Sequence, residues 1–459
     1  MTGPILVAGA GPTGLALALM VKRAGLDVAV YEAAPNVDVR PRAVMVHARV
    51  LEILDRMGLS GEFLEEGLIQ PAIAFERSDG LRLAIDFRDL PTRFPCVLNL
   101  RQPDIERILT RALLEMGVRV HRGVAVEGFT QSTDRVQVKL RLADGGPQII
   151  EAAWLIGCDG ARSTIRTQLG AKFEGETLPI PYLLGEGQPA AKPAPDSVST
   201  MLITAHGVIS WLPFRDGSVR VAGPGSYTGT PGALQNADQP CLTKAEFLVE
   251  QSRLVADPDR RICHIDRTAT YRVHARLASH WGDRRVWLAG DAAHVHPPAG
   301  GQALNLGISD AEAIALRLAG DLNFAPKFDS YEAERRAIAE ATLAQVAMMP
   351  LVNALRDART DAEVEALRSA FANMAIRLSH IATDYAASGP DRLGSTDTKV
   401  RQALQIGRRV DKRCGLVPEK AEAGCWTVAD APRTRLWMTP DRHVRRLQSH
   451  PNHGPGSAQ

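Results

Sequence analysis

Apolar residues fall along the chain in short blocks whose spacing switches between strand and helix. Ile5–Ala8 is wholly apolar, as a strand buried on both faces of a parallel sheet requires. Gly9, Gly11 and Gly14 follow at once, residues 15–24 have helical spacing, and residues 28–31 form a second apolar strand ending at Glu32. The same order returns late in the chain. Residues 286–289 are apolar, Gly290-Asp291 and a Pro/Gly-rich loop follow, and a helical run opens at Leu304-Asn305 and continues through Leu318. In between, the pattern predicts helices over 48–57 and 105–116 and strands over 118–120 and 124–126. It also predicts a hairpin of 136–142 with 148–153, and a buried strand over 154–158. Residues 71–98 alternate weakly around Asp79-Gly80, and strands over 208–211 and 219–222 flank Asp216-Gly217, as in an antiparallel sheet. Beyond Leu318 the pattern is helical over 331–336, 337–349, 362–377 and 380–387.

Gly9, Gly11 and Gly14 form a G-x-G-x-x-G directly after a strand. Glycines there permit a tight turn, close approach to a pyrophosphate and close packing of helix on strand, and the helix N-terminus faces the phosphates. Glu32, at the end of the next strand, is placed to accept ribose hydroxyls of an adenosine. The stretch from Val286 to Asp310 repeats the logic of strand, loop and helix start, with Asp291 as its carboxylate. No second complete glycine motif is present, so the two elements point to one cofactor held from both ends.

These two stretches, with Cys158-Asp159-Gly160-Ala161-Arg162-Ser163 between them, resemble the single-component, class A FAD-dependent aromatic hydroxylases. The likeness is to the p-hydroxybenzoate hydroxylase-like proteins, in their polyketide/phenol hydroxylase branch, and covers residues 4–340. It implies an α/β fold with a Rossmann-like FAD-binding domain, a mixed β-sheet substrate domain and a helical C-terminal part. It also implies residue roles. Gly9, Gly11, Pro12, Thr13 and Gly14 would cradle the FAD pyrophosphate, and Arg42 of an R-x-R-A-like loop would reach back to it. Gln102 would lie near the ribityl chain and phosphates, and Val126 would meet adenine through its backbone. Asp159 would stand where flavin and nicotinamide are both approached, a helix cap being the alternative reading. Asp291 would hold the ribityl hydroxyls, Pro298 would turn its carbonyl to the substrate face, and Gly301 would let the backbone approach the isoalloxazine. Leu304 and Asn305 would offer backbone N–H groups to the flavin N1–C2=O edge, where reduced flavin carries negative charge. One departure is visible: Ala33 stands where many relatives carry Arg after the acidic residue.

The expected organisation is a discontinuous FAD-binding domain (1–70, 99–175 and 276–345) and a substrate-binding sheet (71–98 and 176–275). A helical segment (346–390) and a shortened tail or remnant of a thioredoxin-like domain (391–459) complete it. In the substrate part, Trp211 and Tyr227 are available to stack on an aromatic ligand, a core position being the alternative for each.

Composition narrows the classes. The chain has 459 residues, 45% of them hydrophobic and 23% charged, enough for two or three domains with substantial cores. A net charge of +2 without a long basic face argues against nucleic acid as a partner. The six cysteines show no zinc-type spacing, so no metal is expected, and their usage fits a reducing cytoplasm. No apolar run reaches the roughly 18 residues of a membrane span. The resemblance implies that NAD(P)H reduces FAD, O2 adds at flavin C4a, and the hydroperoxide hydroxylates a small aromatic substrate, phenolic or polycyclic. Epoxidation, Baeyer–Villiger oxygenation and a non-catalytic FAD-binding protein are the alternatives. A monomer or homodimer is expected.

Overall fold

The computed structural model describes residues 3–225, 243–319, 328–345 and 348–381, and strands at 416–418, 425–428, 431–438 and 444–449. Ile5–Ala8 lies inside a six-stranded sheet, hydrogen-bonded in parallel to Trp154–Gly157 on one side and Val28–Glu32 on the other. Val286–Leu288 and Val120–Arg122 extend the sheet outward on the two sides. Both neighbours of Ile5–Ala8 run parallel to it and their connections diverge, so a crevice opens beyond its carboxyl end. Leu6 and Val7 are fully buried in a core that takes in helix Pro12–Arg23 and the side chains of Val136, Val138 and Leu140.

Helix Pro12–Arg23 starts with proline in its first turn, where a missing N–H costs nothing, and ends at Gly25 with φ 79°. A Cβ on Gly14 would lie 2.1 Å from the Gly9 carbonyl oxygen, so only glycine lets this helix sit down on its own loop. Helices Gln102–Glu115 and Gln302–Ala319 pack against it. The helix read from residues 105–116 begins earlier, because Gln102-Pro103 forms its first turn. The strand read at 124–126 instead belongs to Ala125–Gln131. It leaves the parallel sheet and joins Val136–Arg141 and Pro147–Ala152 in a three-stranded antiparallel sheet.

An eight-stranded sheet forms the second layer. Its long central pair is Phe173–Pro189 with Ile262–Ala278, and Ala72–Arg77 and Arg82–Asp86 close its far edge. Strand alternation gives it two different faces. Leu183, Ile209, Trp211, Val219 and Val221 pack on one face beneath Phe247 of helix Lys244–Leu254. A Cβ on Gly185 would meet the Phe247 ring at 2.4 Å, so that glycine is the seat of the aromatic side chain. The other face pairs Tyr182 with Tyr271, Leu184 with Ala222, and Glu186 with Arg220. At the far edge this face is covered by helices Met348–Asp357 and Asp361–Ala372, with Phe75 edge-on to Phe371 at 4.9 Å.

The tail strands Leu416–Pro418, Cys425–Val428, Ala431–Met438 and Val444–Ser449 form an antiparallel meander. The segments 404–411 and 382–387, read as tail and helix, lie outside the described residues. Among the described residues no helix is long and apolar enough to cross a membrane.

Of the two readings of Trp211, ligand stacking and core, the alternation favours the core position. Its side chain is buried on the helix-covered face, while the face turned to the glycine-loop half carries its neighbours Ser210 and Leu212. Replacing Trp211 with alanine is expected to cost about 3–5 kcal/mol of stability in urea unfolding. Trp211→Phe should leave the affinity for any aromatic substrate unchanged, and a large loss of substrate affinity in that variant would contradict the assignment.

Candidate functional site

The crevice is built from the glycine loop. Gly9 adopts φ 104°, donates to the Tyr31 carbonyl at 2.7 Å, and a Cβ there would stand 2.3 Å from the Cys158 oxygen. Gly11 differs. Its φ is −74° and a Cβ would meet nothing within 4 Å, so neither strain nor packing within the chain calls for glycine. It caps the helix with no side-chain hydrogen bond, leaving first-turn N–H groups facing open space. A ligand backbone of phosphates is what such a cradle fits. Glu32 braces the cradle, accepting from Ala10 N–H and Ala34 N–H at 2.8 Å each. A carboxylate retains further lone pairs for hydroxyl donors.

The late stretch arrives at the same place. A Cβ on Gly290 would lie 2.6 Å from Thr13 Oγ1, and one on Gly307 2.2 Å from it, so Thr13 is wedged between the two glycines. That contact brings the two nucleotide-type elements together. Asp291, in the short turn Gly290–Ala292, is exposed, yet the surrounding protein raises its carboxyl above the ordinary value against the pull of His294 and Arg42. A group both open and poorly solvated lines a cleft. Asp159 stands beside Gly9 but caps helix Thr164–Gln168, accepting from Ser163 Oγ at 2.5 Å and Thr164 N–H at 2.8 Å. Its carboxyl is raised by burial, with the cap opposing. Arg166 ties this corner to the Asp291 turn, donating to the Ala292 and Ala161 carbonyls.

Arg42 is paired with Asp38 at 2.5 Å, and Arg40 pairs with the same carboxylate. Gln102 faces the Arg42-Ala43 loop, accepting from Ala43 N–H at 3.3 Å and donating to Glu106 at 2.9 Å. Val126 is half-buried opposite Leu140, and its segment runs beside Glu32 through a bond from Val124 N–H to the Glu32 carbonyl. Pro298 is exposed, and its carbonyl accepts from Gly301 N–H at 3.0 Å. Gly300 and Gly301 adopt φ 73° and 67°, and a Cβ on Gly301 would lie 2.7 Å from Met45 Cβ. Leu304 is buried. Asn305 spends its side chain on the neighbouring strand Met45–His47, accepting from His47 N–H at 2.8 Å and donating to the Met45 carbonyl at 2.9 Å. Any ligand contact of Asn305 is therefore left to its backbone. Tyr227 lies outside the described residues.

Several residues that organise this site carry no motif. Asp310, fully buried, accepts from Gly290 N–H at 3.0 Å and Arg335 Nε at 2.7 Å and meets His294 Nε2 at 2.6 Å. His294 and Arg335 hold its carboxyl at about 2 against the opposing effect of burial. His47 donates from Nε2 to the Gly300 carbonyl at 2.6 Å, and burial lowers its pKa to about 4. In the sequence Asp310 stands two residues before a second carboxylate, Glu312, in the same helix, and no short pattern separates the buried one from the other. On the sheet face opposite the crevice, Arg101 and Arg220 converge on Glu186, and Arg220 also donates to the Arg42 carbonyl. No group of His, Cys, Asp and Glu able to hold a metal occurs among the described residues.

Replacing Asp310 with asparagine removes the carboxylate from a buried Arg335 and is expected to cost about 3–5 kcal/mol in urea unfolding at neutral pH. The histidines set an acid limit. His47 ordinarily titrates at 6.5 and His380 is lowered to about 3 by burial, so both are neutral in the fold where the unfolded chain binds protons. Stability is therefore complete above pH 6.5 and lost as pH falls toward 4. The urea midpoint should fall across that window, and less steeply in His47→Gln.

The chain matches the family model described as FAD binding domain over residues 2–346. A rifampicin monooxygenase of Rhodococcus hoagii is 34% identical over 351 residues, 74% of this chain and 69% of the relative. A Streptomyces rimosus enzyme named 12-dehydrotetracycline 5-monooxygenase/anhydrotetracycline 6-monooxygenase is 33% identical over 348 residues, 74% of this chain and 67% of that one. The solved structure of OxyS anhydrotetracycline hydroxylase from Streptomyces rimosus superposes with a TM-score of 0.72 at 26% identity, covering 98% of this chain and 96% of that one. The chain therefore belongs to the FAD-binding family of flavin-dependent aromatic monooxygenases.

Proposed function

We propose that this monooxygenase hydroxylates a polycyclic phenol of polyketide type, with FAD held across the crevice by residues of both nucleotide-type elements. The observation that carries the reading is the Thr13 wedge between Gly290 and Gly307, which sets an open glycine cradle beside an open carboxylate. In this reading Gly9, Gly11 and Gly14 with Pro12 cradle the pyrophosphate, Glu32 takes the adenosine ribose, and Asp291 takes the ribityl hydroxyls. Arg42 exchanges its exposed partner Asp38 for phosphate, a modest cost for a surface ion pair. Gln102 holds the Ala43 loop against the ribityl side, and Val126 borders adenine. Asp159 sets the corner by its cap. The backbone at Gly301, Leu304 and Asn305 meets the flavin ring, and the helix N-terminus there favours an anion. Bound FAD supplies the redox chemistry, drawing electrons from NAD(P)H and delivering one atom of O2 to the substrate.

The rest falls to the chain. The sheet face with Tyr182, Leu184, Ala222 and Tyr271 forms the apolar, aromatic wall that keeps water from the reacting centre. Burial raises the Tyr182 and Tyr271 phenols above their ordinary range, so at neutral pH both remain protonated and able to donate to a substrate. The Pro298 carbonyl retains a second lone pair beyond its bond to Gly301, available to a substrate hydroxyl. The division into a cofactor part and a substrate sheet follows the boundaries read from the sequence. The rifampicin and tetracycline oxygenases named above, acting on large polycyclic compounds, support the substrate class. A cytoplasmic setting is supported by Cys96, Cys158 and Cys263, all free thiols, and the chain acts as a monomer or homodimer.

The test is NAD(P)H consumption by the FAD-loaded protein across phenols and polycyclic aromatic ketones, with hydrogen peroxide recorded in parallel. A substrate accelerates NAD(P)H oxidation, yields little peroxide and gains one oxygen by mass. If every compound leaves the flavin oxidised, the hydroxylase reading fails. With a substrate found, Tyr271→Phe is expected to raise its Kd roughly 2–10-fold, the worth of one hydrogen bond, at unchanged FAD affinity.

A further inference from the structure

Val120–Arg122 is the outer parallel strand beside Val28–Glu32, and its register sets His121 against Tyr31 and Arg122 against Glu32. Alternation sends the first pair to one face, where the two rings stack at 4.9 Å. Glu32 and Arg122 leave from the other face. That is the face of the glycine loop, because Glu32 accepts there from Ala10 N–H. Arg122 therefore stands at the carboxyl edge of the sheet, one strand farther out than Glu32, on the side where the crevice opens.

The charges around this edge are unevenly matched. Glu32 is bound to two backbone N–H groups. Glu106 is buried in helix Gln102–Glu115 and accepts from Gln102. Arg42 pairs with Asp38. Arg122 is half-buried and has neither a hydrogen bond nor an ion pair among the described residues. Its charge acts on Glu106, as do those of Arg42 and Glu32. The residue after Glu32 is Ala33, and Glu32's own strand brings no cation to this edge. The Arg122 nitrogens are not among the buried polar atoms left without a partner, so the guanidinium is open to a ligand that supplies an acceptor. A planar guanidinium at this place can stack on a purine or donate to its ring nitrogens and the adjoining phosphate.

We propose that Arg122 binds the adenosine half of FAD and makes the site select FAD over FMN. The inference rests on FAD lying in the glycine-loop crevice as proposed above. It adds a contact supplied across the sheet ladder by the neighbouring strand, on a residue that belongs to no nucleotide motif.

Apoprotein of the wild type, Arg122→Gln and Arg122→Lys would be titrated with FAD and with FMN by flavin fluorescence, and with ADP as competitor. In Arg122→Gln the Kd for FAD and ADP should rise about tenfold, the loss of one charged hydrogen bond, while that for FMN stays unchanged. Arg122→Lys, which keeps the charge but not the plane, should recover part of the loss. Equal affinity of Arg122→Gln and wild type for FAD overturns the proposal alone. Parallel weakening of FAD and FMN also overturns it, since that pattern marks a damaged fold and not a lost adenosine contact. A wild-type apoprotein that binds no FAD overturns the cofactor site itself.

Discussion

The Asp310 carboxylate is the interaction on which the site depends. A charge with no solvent exposure must be paired and hydrogen-bonded, and this one draws its partners from three separate parts of the chain. Gly290 N–H comes from the turn that follows strand Val286–Leu288, His294 from the short strand after that turn, and Arg335 from helix Asp329–Gln345. Asp291 follows Gly290 directly, so the place of the open carboxylate in the crevice is set by the buried one beneath it. The polar residues of 331–336 all serve this arrangement. Tyr331 donates to the Leu288 carbonyl, Glu332 accepts from Trp281 N–H, Glu334 pairs with Arg317, and Arg336 donates to the Ala278 carbonyl. The segment 331–336 is thus a brace behind the glycine-loop crevice.

The same economy appears on the opposite wall. Glu186 is nearly inaccessible and faces Arg101, Arg220 and Arg267, and Arg220 extends from it to the Arg42 carbonyl. One buried carboxylate therefore orients the guanidiniums that join the eight-stranded sheet to the Arg42 loop. The C-terminal helices close a third side. Arg49 N–H donates to the Ser379 carbonyl, and Gln302, at the start of the long helix, contacts the Leu378 carbonyl and His380. These residues lie beyond the stretch matched by the family model, yet they fix the loop at Gly300 and Gly301.

The local parts of the site were legible because their causes are local. A glycine motif after an apolar strand implies a turn and a helix N-terminus whatever the rest of the chain does, and Glu32 and Asp291 are found by position relative to a strand end. The side chains of Gln102, Asn305 and Asp159 bind the protein itself, which agrees with a backbone role for Asn305 and with the cap reading of Asp159. No short pattern distinguishes a side chain that faces a ligand from one that holds a neighbouring loop. The pairs Asp310 with Arg335 and Glu186 with Arg220 join residues 25 and 34 positions apart, and nothing in the spacing marks them.

Trp211 shows where sequence reading stops. Alternation along its strand determines that Trp211 and Leu212 point to opposite sides, but both sides are apolar enough to be covered. Which side meets a helix and which meets the crevice is decided by how the sheet docks, and here Phe247 claims the side of Trp211. By itself, the sequence determined the secondary structure, the glycine cradle and the two carboxylates at strand ends, since steric limits and periodicity act over a few residues. Only the tertiary structure decided which buried charges pair and which sheet face turns to the glycine-loop half, because desolvation and packing are settled between segments far apart in the chain.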